Sequence, residues 1–202
     1  LCNAALWPLL TTLFSERMAG QPGWPWGNRY HRRTVRRAVM TSLTETLSEM
    51  TGVADSYCQL IDRIGRAPGN WLDMLFEVMP RLHAAVTALN AYDTGEVPVS
   101  TVDLDERFEL YSRLRKVLGE RDSYWLEFDA APEEVHMSGS LADDLTDIYF
   151  DLLQGLDLLD EAWPQRAAQV WQSTYRMHWG QHLVDAERHL YALKVRNQLA
   201  LC

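Results

Sequence analysis

At 202 residues, with 47% hydrophobic and 23% charged positions, the chain has the composition of an ordinary globular protein, too apolar to stay disordered and too interrupted by charge to span a bilayer. The net charge of −9 is unevenly divided: residues 1–39 hold six arginines against Glu16 alone and stand at +5, which leaves −14 on residues 40–202. An acidic body of that size repels phosphate backbones and argues against direct nucleic acid binding by residues 40–202.

The first stretch, LCNAALWPLLTTLF, has an apolar core of signal-peptide length, but the arginines of RYHRRTVRR follow it instead of preceding it, the wrong order for export. Cys2, Cys58 and Cys202 form no CxxC pair and no disulfide or zinc spacing, so they read as reduced thiols of a cytoplasmic protein. QPGWPWGNRY mixes proline, glycine and tryptophan without a period and reads as an irregular tail. The texture changes at Met40. Residues 1–39 therefore form a basic, Trp- and Arg-rich tail, and Met40 reads as a natural start with translated upstream sequence before it. The competing reading is a basic arm that touches an acidic membrane or nucleic acid through Arg32, Arg33, Arg36 and Arg37.

From residue 40 onward the pattern is all-α: one bundle of about five helices. Leu43, Leu47, Met50, Ala54, Tyr57, Ile61 and Ile64 recur at steps of four and three and predict a first helix over residues 42–64. Leu72, Leu75, Met79, Leu82, Val86 and Leu89 predict a second, with Asn70 as N-cap and a kink at Pro80. Asp103 and Glu106 have capping-box spacing before a third stripe of Leu104, Phe108, Tyr111, Leu114 and Leu118. RDSYWLEFDAAPEEVHMSG follows as one long loop, with Tyr124, Trp125 and Phe128 to pin it to the bundle. Ser140 caps a fourth helix striped by Leu141, Leu145, Ile148, Leu152, Leu156 and Leu159. Pro164 opens a fifth that runs to about Arg196.

The fifth helix carries MHWGQHLVDAERH. At about 100° per residue, Trp171, His178, His182, Asp185 and His189 fall in one narrow sector. Apolar residues lie on both sides, Trp179, Ala186, Leu190 and Leu193 on one and Val170, Met177, Val184 and Tyr191 on the other, so the sector is expected to face the bundle interior. A strip through Arg176, Gly180 and Glu187 looks made for water. The fourth helix supplies Asp144, Asp147 and Asp151 opposite, the first and last projecting nearest the core edge.

Three chemistries fit this spine. Structural His–Asp pairs would fix the register of the two helices. A divalent metal would be held by imidazoles at i and i+4 with carboxylates from the facing helix, the candidate ligands being His178, His182, Asp144, Asp147, Asp185 and His189. An acid/base site would use His178 or His182 against Asp147. There is no HExxH, and no helix carries the ExxH pair of ferritin-like di-iron proteins. His83 reads as a boundary residue and His136, beside Glu133 and Glu134, as a solvated one. Glu127 and Asp129 become further ligands if the long loop folds over the spine.

YWLEFDA, GSLADDLTDIYFDLLQGLDLL and VWQSTYRMHWGQHLVDAERHLYAL, together with VADSYCQLIDRI and LFEVMPRLHAAVTAL, resemble the bacterial family known only as domain of unknown function DUF5063. The resemblance covers the chain from about Met40. Its most specific residues here are Gly139, Ser140, Leu141, Asp143, Asp144, Asp147, Ile148, Tyr149, His178, Trp179, Gly180 and His182. It implies a small, cytoplasmic, all-helical bacterial protein, and no reaction, cofactor or partner. The functional expectation is accordingly a non-catalytic module that binds a protein partner or joins an assembly, with no cofactor and no membrane span. The alternative is a metal-dependent or acid/base enzyme with its site between the fourth and fifth helices.

Overall fold

The computed structural model describes residues 27–64, 69–89, 103–126 and 137–200, with side chains from Thr44 onward. The chain divides into two compact units, Leu1–Ser42 and Leu43–Cys202. In the second the all-α expectation holds: helices dominate, and the described residues add only a small two-stranded ribbon. Among the described residues no helix is long and apolar enough to cross a membrane.

Helix α1, Gly27–Asp62, starts fifteen residues before the expected boundary. No proline or glycine occurs between Gly27 and Gly52, so nothing in residues 28–51 forbids the helical ladder. The irregular tail thus yields to helix at Gly27, while residues 1–26 lie outside the described residues. Met50, Ala54, Tyr57, Ile61 and Ile64 are buried, as the period requires. The Tyr57 hydroxyl donates to the Leu145 carbonyl at 2.9 Å, which satisfies the one polar atom of a fully buried ring.

Helix α2, Trp71–Ala88, buries its whole predicted stripe and stays helical through Pro80. Asn70 stands at the cap position but makes no side-chain cap; only its carbonyl enters the ladder, accepting from Met74 N–H. Helix α3, Leu104–Leu118, is capped by the Asp103 carboxylate, which accepts from Asp105 N–H at 2.9 Å, one residue short of capping-box geometry. Its stripe is buried only at Leu114 and Leu118, together with Leu110. Leu104 and Phe108 lie exposed.

Part of the long loop is a hairpin. Strand β1, Ser123–Leu126, pairs antiparallel with β2, Met137–Ser140, in the register Ser123↔Ser140 and Tyr124↔Gly139. Alternation turns Tyr124 inward and Trp125 outward. Residues 127–136 lie outside the described residues, and with them Glu127, Asp129, Glu133, Glu134 and His136. Asp122, buried just before β1, accepts from Ala142 N–H at 2.8 Å and from the Ser140 hydroxyl at 2.9 Å. Together with Ser140, whose hydroxyl also accepts from Asp143 N–H, it anchors the start of helix α4, Leu141–Asp160, where a carboxylate is favoured by unpaired N–H groups and the helix dipole.

Helix α4 is the central element, packed against α3 on one flank and against the last helical rod on the other. That rod comprises α5, Pro164–Thr174, a π turn, Tyr175–Trp179, and α6, Gly180–Val195. α6 also packs on α2, and α5 lies close enough to α4 for the Trp171 indole to fill the space beside Gly155.

The π turn changes what faces what. A π turn closes i to i+5 instead of i to i+4, so it absorbs one extra residue, and everything after it lags one helical position behind a regular projection. Trp171 is therefore continued by Trp179, Leu183, Ala186, Leu190 and Leu193, all buried, and not by His178. The polar spine moves about 100° round the rod, to its edge along α4. Met177, Val184 and Tyr191, expected as an inner flank, are exposed for the same reason. Gly180, assigned to water, is buried, and its N–H donates to the Tyr175 carbonyl.

Candidate functional site

The site is built where the edge of the rod meets α4. Asp144 and Asp147 are one turn apart on α4 and buried, with Asp151 a further turn along and half-covered. Asp144 and Asp151 are the aspartates expected nearest the core edge, yet Asp147 goes deepest, where Arg107 from α3 meets its Oδ1. Arg107 also reaches Asp143 at 3.7 Å.

His178 leaves the π turn and His182 follows from the first turn of α6, their rings edge to face with centroids 5.2 Å apart. His178 Nδ1 lies 2.6 Å from Asp151 Oδ2, and His182 Nδ1 lies 2.9 Å from Asp144 Oδ1. A carboxylate only accepts, so each Nδ1 carries the proton and each Nε2 is left toward the interior. Both Nε2 atoms face the same oxygen: Asp147 Oδ2 is 3.2 Å from that of His182 and 3.9 Å from that of His178. The ligating atoms of Asp147, His178 and His182 all lie within 4.8 Å of one another. Two donors each about 2.1 Å from a shared ion stand roughly 3.0–3.4 Å apart, so the three donors would have to draw closer by side-chain rotation to share one ion.

Asp144 has a second partner in the Tyr124 hydroxyl, which donates to its other oxygen from the hairpin. A Cβ on Gly139, across the ribbon, would run into the Tyr124 ring, so glycine is what permits the ring to lie there. The electrostatics follow from burial. Asp144 and Asp147 are pushed above the usual carboxylate range by desolvation, against which His182, with Tyr124 for the first and Arg107 for the second, works to keep them charged. His182 is raised above its ordinary value by its hydrogen bond to Asp144. The Tyr124 hydroxyl is driven up by burial and by the carboxylate it serves.

The candidate residues thus separate. Asp147, His178 and His182 converge on a point, and Asp144 stands behind His182 as its orienting acceptor. Asp185 does not reach the triad; it lines the open cleft beside it, about 570 Å³, with Tyr111, Ser138 and Gln181. His189 is turned away: its Nε2 donates to the Arg121 carbonyl at 2.7 Å, and its ring stacks on Tyr124 with centroids 4.6 Å apart. Burial lowers its affinity for a proton, which suits a neutral donor. Trp171 belongs to the core, its indole N–H on the Leu152 carbonyl. His83 is no idle boundary residue, since it bonds Glu187 and Tyr175.

Sequence reasoning missed Arg107 and Tyr124. Nothing in DERFELY marks Arg107, and Tyr124 was expected only to pin the loop to the bundle, not to place its hydroxyl on Asp144. Asp151 carried a signal, one turn beyond Asp147 and opposite His178, but was read as a core-edge residue and not as the partner of a particular imidazole.

Comparison with known proteins places the chain. It is similar to protein BF1032 from Bacteroides fragilis, a crystal structure with 22% sequence identity and a TM-score of 0.61, the likeness covering 74% of this chain and 92% of that one. At that identity the likeness concerns the fold. No curated protein matches. The family model for domain of unknown function DUF5063 matches residues 41–196, a span that takes in α4, the π turn and every residue of the triad. The chain belongs to the DUF5063 family.

Proposed function

We propose that Asp147, His178 and His182 are the protein ligands of a divalent metal ion, and that the chain is a metal-dependent enzyme acting on a small molecule admitted by the adjoining cleft. One observation carries the reading: each histidine spends its Nδ1 proton on a separate carboxylate, Asp151 or Asp144, and directs its Nε2 toward one shared carboxylate oxygen. Carboxylate–histidine–metal order of this kind fixes the tautomer and raises ligand basicity. Two imidazoles and one carboxylate on one side leave the other coordination positions open toward the cleft, the requirement for catalysis over mere structure. There the ion would supply Lewis acidity. Arg107 holds Asp147 Oδ1 and leaves Oδ2 for the ion. The same reading puts the chain in a bacterial cytoplasm, supported by the free thiol of Cys58 and the bacterial source of its structural relative.

The test is elemental analysis of protein purified without a metal-affinity tag. Stoichiometric zinc, iron or manganese, lost in His182→Ala, is the expected result. Metal-free protein that zinc, manganese and ferrous iron all fail to reconstitute would sink the proposal.

A second reading has its own support. A protonated His182 already bridges Asp144 at 2.9 Å and Asp147 at 3.2 Å, so the cluster is also coherent as a structural clamp in a non-catalytic module that binds a protein partner. On that reading His178→Ala costs about 1–3 kcal/mol of stability and leaves partner binding intact.

A further inference from the structure

A second polar chain lies on the opposite edge of the same rod. The Tyr175 hydroxyl, on the first residue of the π turn, is 3.0 Å from His83 Nε2, and His83 Nδ1 is 3.0 Å from Glu187 Oε2. One neutral tautomer satisfies both contacts: Nδ1–H donates to the carboxylate, and Nε2 accepts from the phenol. The chain joins three elements, α2 through His83, the π turn through Tyr175 and α6 through Glu187. Tyr175 is held at three further points. Its ring meets Trp179 edge-on with centroids 5.0 Å apart, its carbonyl accepts from Gly180 N–H, and a Cβ on Gly180 would collide with that carbonyl. Trp179 in turn donates to the Thr174 hydroxyl at 3.0 Å. Five consecutive residues in π geometry are a departure from the helical default, and here these contacts fasten the departure in place.

We infer that the Glu187–His83–Tyr175 relay is a positioning device: through Tyr175 it holds the π turn, and through the turn it sets His178 against Asp147. His178 lies inside the turn and His182 just beyond it, so the phase between them depends on the turn remaining π. With a regular helix in its place, the two Nε2 atoms would no longer share one carboxylate oxygen. Tyr175, His83 and Glu187 touch none of the three ligands and act only through the backbone. The inference takes its functional meaning from the metal reading above.

Cobalt(II) titration of the full chain tests it, with Tyr175→Phe and His83→Leu each breaking the relay and Tyr149→Phe as control, the last removing a hydroxyl bond to Asp62 away from the site. Both relay variants are expected to lose affinity by about 10-fold and to change the visible spectrum of the bound cobalt, while Glu187→Gln, which keeps an acceptor for His83, and Tyr149→Phe stay near wild type. Wild-type affinity and spectrum in both relay variants overturn the inference and leave the metal site standing. If the unaltered chain binds no cobalt, the metal reading fails by itself; the imidazole 1H–15N signals of His178 in the metal-free chain then decide, since they must shift in Tyr175→Phe, and unmoved signals overturn the inference.

Discussion

His189 shows how little a residue's spacing says about its partner. It follows His182 by seven positions and shares its sector, yet it serves the Arg121 carbonyl as a neutral, buried donor. Its folded-state pKa lies below 6.5 while the unfolded chain takes up the proton at about that value. The unfolded state therefore binds more protons as pH falls through 6.5 toward the lower folded value, and stability falls with it. Denaturant titrations between pH 7.5 and 5.5 should show this loss, and a smaller one in His189→Gln; equal slopes would refute it. Asp122 makes the complementary case of a carboxylate that no motif announced. It satisfies a hydroxyl and a helix-start N–H in the interior, so Asp122→Ala should cost about 1–3 kcal/mol, read as a lowered denaturation midpoint at unchanged slope. What sequence conveyed at this scale was residue type and the opposition of His178 and His182 to the aspartates of α4, but not the face on which the two imidazoles stand. The parts played by Arg107 and Tyr124 were invisible, because their positions depend on how α3 and the hairpin dock.

Among the elements, stripes were legible wherever both neighbours in the bundle were apolar. α2 buries each residue its period named, whereas Leu104 and Phe108 of α3 lie in solvent although Arg107 between them reaches α4. Periodicity records only that a face is apolar. The hairpin escaped notice because its strands are four residues each and one of them, MSGS, has no β-branched or aromatic residue. Close approach of α4 and α5 was equally hidden in an unremarkable glycine. A methyl on Gly155 would enter the Trp171 indole, so Gly155→Ala should destabilise by about 1–3 kcal/mol through overpacking. It should also shift the near-ultraviolet tryptophan signal. A variant as stable as the wild type would show that the helices separate freely.

At the scale of the whole molecule, the described apolar core of the second unit runs from Met50, with Leu47 packed against it. Residues 40–202 expressed alone should therefore melt at the temperature of the full chain; a clear drop would give the Arg-rich segment a structural part. The family match begins at residue 41 and spans the same material. Sequence alone suggested a change of material near Met40 through composition, since the charge changes sign there, and it conveyed the all-α class through period. It missed the phase of the last helix, for a π turn leaves the residue types untouched and alters only how they are counted.

That miscount has a genetic counterpart. In most exposed stretches of helix a substitution is tolerated and a one-residue deletion is ruinous, because the deletion rotates all that follows. In the π turn the deletion would mend the ladder. Removing the exposed Met177 would let the rod close as an unbroken α-helix, with more regular hydrogen bonding than the present chain. α6 would then arrive close to its present phase, since Trp171 and Trp179 would stand about 700° apart on a regular helix and so nearly in line; Trp179, Leu183 and Leu190 would keep their places in the core, and the local turn that carries His178 would be what changes. The reading frame holds one codon more than a straight helix needs, and the core is built for a rod that has already absorbed it.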